Sequence, residues 1–306
     1  MSLPGDTVSV RRRYRLAALR DAWIGVASDA ALEPFHRRFL ALWPMVEGDG
    51  TPPDVVIAAI GADIDAYELR HPALPDGAMR VASAEEAANQ IVPLLVAEVI
   101  QRSAGLVSLH AGAARVGDGL IVLPGDSMSG KSTLSLQLAA RGARFVGDDR
   151  LLVGDGAALG GDGGPVGVAL GLTPRVRLPI HPAAGADYIA FVERHMTVEH
   201  RDEEGVAIIA TVDPGSIGGA PFGEVAPLSA IVVPRRVEGD ESVLDLRPLP
   251  RGQAALALLH QAATPAVDAT ELVGMMGALV AGVPCWSLAY GSSARAADRL
   301  MRPLGG

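Results

Sequence analysis

Cysteine is nearly missing from this chain: Cys285 stands alone. That excludes an intrachain disulfide framework and suits a reducing, cytoplasmic setting. Its surroundings, GVPCWSLAYG, read as a buried strand, so the thiol is expected to be packing material. Aromatic residues make up only 4% of the chain, and the apolar surplus is Ala, Val, Leu and Gly, enough for a core but silent about function. Basic residues are outnumbered, 26 Lys and Arg against 35 Asp and Glu, for a formal charge of −9. Nucleic acid is thereby excluded as the main partner, because a phosphate backbone demands basic surface. A bound nucleotide remains compatible, since one lysine and a metal can hold phosphates. Long apolar runs are missing too. The start, MSLPGDTVSVRRRYRL, lacks the apolar segment of a secretory signal. The apolar stretch IVPLLVAEVI is short and interrupted by Pro93 and Glu98, so no membrane span is expected.

What is present falls into two parts, with a soft boundary near residue 95. The expected organisation is a smaller α+β domain over 1–95, a candidate for acceptor recognition, and a second domain over 96–306. In the first part DVVIAAI (54–60) reads as a strand, while EPFHRRFLALW and SAEEAANQIVPLLVAEVIQRSAG have helical spacing. The latter opens with Ser83 and Glu86, the pattern of a capping box. A strand-rich region then runs to about residue 250, broken by Gly-rich loops at 154–167 and 213–223. The chain returns to helix in RGQAALALLHQAA, DATELVGMMGALVAG and SARAADRLM.

The strongest signal is Gly125-Asp126-Ser127-Met128-Ser129-Gly130-Lys131-Ser132, a full G-x-x-x-x-G-K-S, followed by Thr133. An apolar strand, GLIVLPG, enters it and a helical run, KSTLSLQLAARG, leaves it. Glycines let backbone N–H groups curl around phosphate oxygens, and the helix N-terminus adds partial positive charge. In such a loop Lys131 reaches the terminal phosphates and Ser132 offers its hydroxyl to Mg²⁺. A serine-hydrolase elbow is excluded, because Ser127 would need Gly at position 129.

Two acids follow closely. From Lys131 the helix is expected to reach about Gly142, roughly 16 Å from the phosphates at about 1.5 Å per residue. The strand ARFVGDD retraces that distance at about 3.3 Å per residue. Asp148 and Asp149 thus return to the loop. Neighbours in a strand face opposite ways, so one can hold Mg²⁺ while the other accepts a proton from an attacking hydroxyl. A structural role, capping the next turn, is the alternative. Upstream, GLVSLHAGAARVGDGLIVLPG reads as a hairpin turning at Gly117-Asp118-Gly119, which sets His110 across from Gly125 or Asp126. Arg175 and Arg177 share a face of a short strand and could clamp phosphate or serve as solvated edge charges. Arg235 and Arg236 follow the strand LSAIVV and could also reach the nucleotide. The polar stretch 193–204 holds His195, Glu199 and His200, whose spacing fits no common zinc pattern.

Together His110, the GDSMSGKS loop and the Asp148–Asp149 pair resemble the C-terminal catalytic domain of the HPr kinase/phosphorylase family. The firm match covers about residues 105–150. The resemblance implies an α/β fold, a phosphoenolpyruvate-carboxykinase-like P-loop core of mixed sheets with flanking helices. It also implies ATP and Mg²⁺ as cofactors and transfer of the γ-phosphate to a serine of a small protein or peptide. By that resemblance Asp149 would be the base, His110 and Lys131 catalytic partners, and Ser132 a metal ligand; Asp148, the other acid of the pair, is left by the strand geometry to hold Mg²⁺ and is expected among the catalytic residues. The family's acidic E-x-R-G-x-G segment has no counterpart here, where GLTPRVRLPIHP stands instead, so reverse phosphorolysis is not expected. A divergent relative in a peptide-modification pathway fits better than a true HPr kinase. A nucleotide-binding regulatory module without phosphotransfer, or a small-molecule kinase of the same fold, stays open, as does a homo-oligomer.

Overall fold

The structure, a computed structural model, describes residues 10–15, 23–28, 30–47, 55–63, 66–201, 204–263 and 267–304. The chain divides into two units, Met1–Arg102 and Ser103–Gly306. Residues 96–102, grouped from the sequence with the second part, are the last turns of the helix that closes the first unit.

The first unit contains β1 (Val10–Arg15), β2 (Trp23–Ser28), α1 (Glu33–Phe39), β3 (Met45–Glu47), β4 (Val55–Asp63), β5 (Ala66–Arg70), β6 (Ala78–Val81) and α2 (Ala84–Arg102). Its strands form one sheet in the order β3-β1-β2-β4-β5-β6. The start of α2 is fixed by Ser83, whose Oγ accepts the Glu86 N–H at 3.1 Å, while the Glu86 carboxylate accepts the Ala82 N–H at 2.9 Å. This is a capping box displaced by one residue, since the returning bond reaches Ala82 rather than Ser83. Ile91, Leu95 and Val99 bury the inner face of α2. The same helix carries Glu98, whose buried Oε1 is 2.9 Å from the Nε2 of buried His71 and whose carboxylate also pairs with the half-buried Arg102 one turn on.

The second unit is mixed α/β. Its elements are β7 (Leu106–Leu109), β8 (Ala111–Val116), β9 (Gly119–Pro124), α3 (Lys131–Ala139), β10 (Arg144–Gly147), β11 (Leu151–Asp155), β12 (Pro165–Val168), β13 (Arg175–Arg177), α4 (Ala186–His195), β14 (Met196–Arg201), β15 (Ala207–Val212), β16 (Val225–Arg236), β17 (Leu244–Pro248), α5 (Arg251–Gln261), α6 (Ala269–Gly282), β18 (Cys285–Tyr290) and α7 (Ser293–Leu300). The main sheet runs β10-β8-β9-β16-β12-β11-β7, with β18 also on β16 and β17 on β18; β13-β15-β14 form a small separate sheet.

The long strand β16 joins two halves of the main sheet. Its first residues pair with β12, and its later residues pair in parallel with β9 and β18. The expected first hairpin strand is broken at His110, where the chain passes from β7 in one half to β8 in the other. The hairpin itself is β8–β9, turning through Gly117 and Asp118, with Gly117 at φ 58. One core lies under α5 and α6 and includes Val122, Ile231, Leu258 and Leu279. Another lies under α3 and α7 and includes Ile121, Val232, Leu134 and Leu300.

One helix was not legible in the sequence. The region up to residue 250 reads as strands and loops, yet α4 lies within it. It starts at Gly185, at φ 93 with no capping side chain, so the usual start signal is missing. Burial of Tyr188 and Val192 against Phe145 and Leu136 holds it. No helix among the described residues is long and apolar enough to cross a membrane.

Candidate functional site

Sheet topology brings the candidate residues to one edge. β8 is antiparallel to both β9 and β10, so β9 and β10 run the same way; β16 and β18 run parallel to β9. The carboxyl ends of all four strands therefore share an edge, the position at which open α/β sheets bind ligands. Gly125–Gly130 follow β9, Asp148 and Asp149 follow β10, Arg235 and Arg236 end β16, and Tyr290 ends β18. The β11–β7 register, Leu151 opposite Leu109, sets Arg150 beside His110. The two corners at which the chain changes sheet halves thus lie side by side.

The loop closes onto α3. Gly130 adopts φ 92, and Met128, without glycine's freedom, adopts φ 68, a strained conformation of the kind that collects at ligand sites. At the far end of α3, Gly142 (φ 88) and Ala143 close the helix: their N–H groups bond the carbonyls of Ala139 at 2.9 Å and Leu138 at 3.0 Å. This double bond pattern is a Schellman cap, and it turns the chain back into β10. A bare glycine at position 112 of β8 lets α3 lie against the strand, since a Cβ there would meet the Lys131 carbonyl oxygen at 2.9 Å.

Lys131 is the single lysine among the 26 Lys and Arg residues. Its ammonium is buried and donates to the carbonyls of Gly125 at 2.7 Å and Asp126 at 2.9 Å. Burial lowers its pKa, opposed by Asp126, Asp149 and Asp148. Ser132 and Thr133 stand in the first turn of α3, and the Ser132 hydroxyl donates to the Asp148 carbonyl oxygen at 3.5 Å.

The neighbouring acids occupy opposite environments. Asp148 is buried, and burial followed by repulsion from Asp149 pushes its carboxyl up to about 7 despite hydrogen bonds from the Arg175 backbone and Ser132. Asp149 is 64% exposed, with Oδ1 3.5 Å from His110 Nε2. Burial and the Lys131 charge hold the His110 pKa below its ordinary value, and Asp149 partly opposes them. The His110 backbone N–H is fixed by the Gln261 carbonyl at 2.8 Å. The arrangement can place an anion at Lys131 with an accessible carboxylate alongside.

Arg175 and Arg177 flank buried Val176 on β13, both exposed. Arg177 Nη1 lies 3.1 Å from Met128 Sδ, so β13 borders the loop. In the stretch 193–204, His195 ends α4 and its Nδ1 is 2.9 Å from Ser216 Oγ; the side chains of Glu199 and His200 lie outside the described residues. Among the described residues no group of three or more His, Cys, Asp or Glu side chains could hold a metal. Tyr290 was missed from the sequence. Its hydroxyl donates to the Ser129 carbonyl at 2.9 Å, and a tyrosine at the end of an apolar strand gave no sign of it.

The chain matches no protein-family model and no curated protein. Among solved structures it is similar to the Hpr(Ser) kinase/phosphatase from Coxiella burnetii, with 12% identity over 63% of this chain and 91% of that chain, at a TM-score of 0.29.

Proposed function

We propose that the chain is an ATP- and Mg²⁺-dependent phosphotransferase that moves the γ-phosphate to a hydroxyl, a serine of a small protein or peptide. The observation that carries this is the exposed Asp149 carboxylate beside His110, within electrostatic reach of the one lysine of the loop. A switch that only binds nucleotide needs acids for the metal. It has no use for a second, solvent-facing carboxylate at the terminal phosphate.

The donor set fits Mg²⁺: a hydroxyl at Ser132 and a buried carboxylate at Asp148, oxygen ligands only, with phosphate and water left to complete the shell. When bound, the metal supplies positive charge to the transferring phosphoryl group. Gly125–Gly130 orient the phosphate chain with backbone N–H groups, and Lys131 moves its ammonium from the loop carbonyls to phosphate oxygen. Asp149 accepts the proton of the acceptor hydroxyl as its oxygen bonds phosphorus and the bond to the ADP oxygen breaks. His110, neutral and fixed by its backbone, orients Asp149. Arg175 and Arg177 meet phosphate or acceptor from the β13 side, a role supported by their exposure and by the Arg177–Met128 contact.

Asp149→Asn tests this. ATP binding by calorimetry is expected to survive, while acceptor phosphorylation by mass spectrometry falls by about 10²–10⁴-fold, the usual worth of a positioned base. Equal phosphorylation by variant and wild type would remove the assignment.

A further inference from the structure

A cleft of about 430 Å³ runs from Gly125–Ser129 to the end of β16 and the last turns of α5, within the size range of small-ligand sites, about 300–1,000 Å³. Its strand wall comes from the β16 flank of β9, and its helix wall from α5, whose Gln261 carbonyl also holds the His110 backbone N–H. β8 and β10, which deliver His110 and Asp149, are on one side of β9, and β16 is on the other.

Strand parity separates the two arginines there. Ile231 belongs to the core under α5 and α6, and Val232 to the core under α3 and α7. Arg235 therefore stands on the α5 face and Arg236 on the α3 face. Arg236 is in register with Tyr290, whose hydroxyl holds the loop at Ser129. No ion pair among the described residues engages Arg235, Arg236 or Glu238. The segment after β16 is nonetheless fixed. The Val237 N–H bonds the Tyr290 carbonyl at 2.8 Å, and Arg295 donates to the carbonyls of Glu241 at 3.0 Å and Ser242 at 2.8 Å.

We propose that this cleft takes the nucleoside half of the donor nucleotide, with the base against the Arg235 guanidinium and the Val233–Ala257 wall and the ribose hydroxyls against the Glu238 carboxylate. The inference rests on the phosphotransferase reading. A triphosphate whose end meets Lys131 and Asp149 has to lead its sugar away from the acids, and the cleft begins where the loop turns to the other flank. A planar guanidinium stacks on the face of a base. A carboxylate accepts hydrogen bonds from ribose hydroxyls, as in dinucleotide sites. Arg236, on the loop side, is left for the phosphate nearest the sugar.

The test is calorimetry of wild type, Arg235→Ala and Glu238→Gln with three Mg²⁺-containing probes: ATP, 2′,3′-dideoxy-ATP and inorganic triphosphate. Inorganic triphosphate is expected to bind all three proteins equally, because it has no base to set against Arg235 and no ribose to set against Glu238. Arg235→Ala is expected to weaken ATP by about 5- to 100-fold, the worth of one base stack. Glu238→Gln is expected to weaken ATP about 2- to 10-fold and dideoxy-ATP not at all. Unchanged ATP affinity in both variants, or ATP and triphosphate weakened in parallel, would overturn the cleft assignment while leaving the phosphotransferase reading intact. Wild-type protein that binds neither ATP nor triphosphate would overturn the phosphotransferase reading, and the cleft assignment with it.

Discussion

Tyr290 donates its hydroxyl to the backbone carbonyl of Ser129, 161 residues earlier in the chain, at 2.9 Å. The last residue of β18 thereby braces the loop that follows β9, across the intervening strand β16. Tyr290→Phe leaves the ring in place and the Ser129 carbonyl without its donor. A loss of about 1–3 kcal/mol in stability is expected, measured by urea unfolding, together with weaker ATP binding. Gly130→Ala is expected to be worse. Gly130 has φ 92, and an added Cβ would collide with the Tyr290 hydroxyl.

Lys131→Ala removes the ammonium that meets phosphate. Charge-assisted bonds of this kind are worth about 1.5–3 kcal/mol, so ATP affinity is expected to fall about 10- to 100-fold in a protein that still melts cooperatively. Calorimetry beside a thermal scan checks both halves. Unchanged affinity in a folded variant would remove the phosphate-binding assignment of the loop.

Gly112→Ala tests the packing of α3 on β8. The new methyl would stand 2.5 Å from Ser135 Oγ and 2.9 Å from the Lys131 carbonyl oxygen. A side chain can rotate away, but a helix carbonyl cannot. Overpacking of this kind costs about 1–3 kcal/mol, read as a lower urea midpoint, and it should displace the first turn of α3 and weaken ATP.

The first unit carries a pH dependence of its own. His71 Nδ1 accepts the Ala73 N–H at 3.2 Å, so protonating that nitrogen breaks a bond. Glu98 at 2.9 Å favours the charged ring, but Glu98 is already engaged by Arg102. Burial first, and the Arg102 charge second, hold the His71 pKa below 6.5. Below 6.5 the unfolded chain then binds more protons than the folded one, so stability is full above that pH and declines as pH falls towards the folded value. Thermal unfolding of wild type and His71→Gln between pH 5 and 8 is expected to show a steeper acid decline in wild type. Parallel curves would remove His71 as the cause.

The part of the site that the sequence disclosed is the part built from one continuous segment. Strand, loop, helix and returning strand, from β9 to Asp149, follow from local spacing, because lengths of about 1.5 Å per helical residue and 3.3 Å per strand residue nearly cancel. The hairpin turn at Gly117 likewise fixed the place of His110. Tyr290 could not be found that way, because it reaches the loop across the parallel neighbours β16 and β18, and no local pattern sets the order of strands in a sheet. The break at His110 was hidden for the same reason: β7 and β8 are continuous in apolar pattern and diverge only in partners. In the first unit β5 and β6 went unread because their half-buried, polar-rich stretches, AYELR and AMRV, alternate too weakly to be read as strands.

The solitary lysine has a use of its own. With arginine at every other permanently cationic side chain, lysine-selective ¹⁵N labelling of this chain gives one side-chain ammonium resonance, and that signal comes from the loop itself. In the structure the ammonium is shielded and donates to two carbonyls of its own backbone; with phosphate present it would change partners. A single peak would then follow the occupancy of the loop residue by residue in time rather than in sequence, with no engineered probe and no background to subtract.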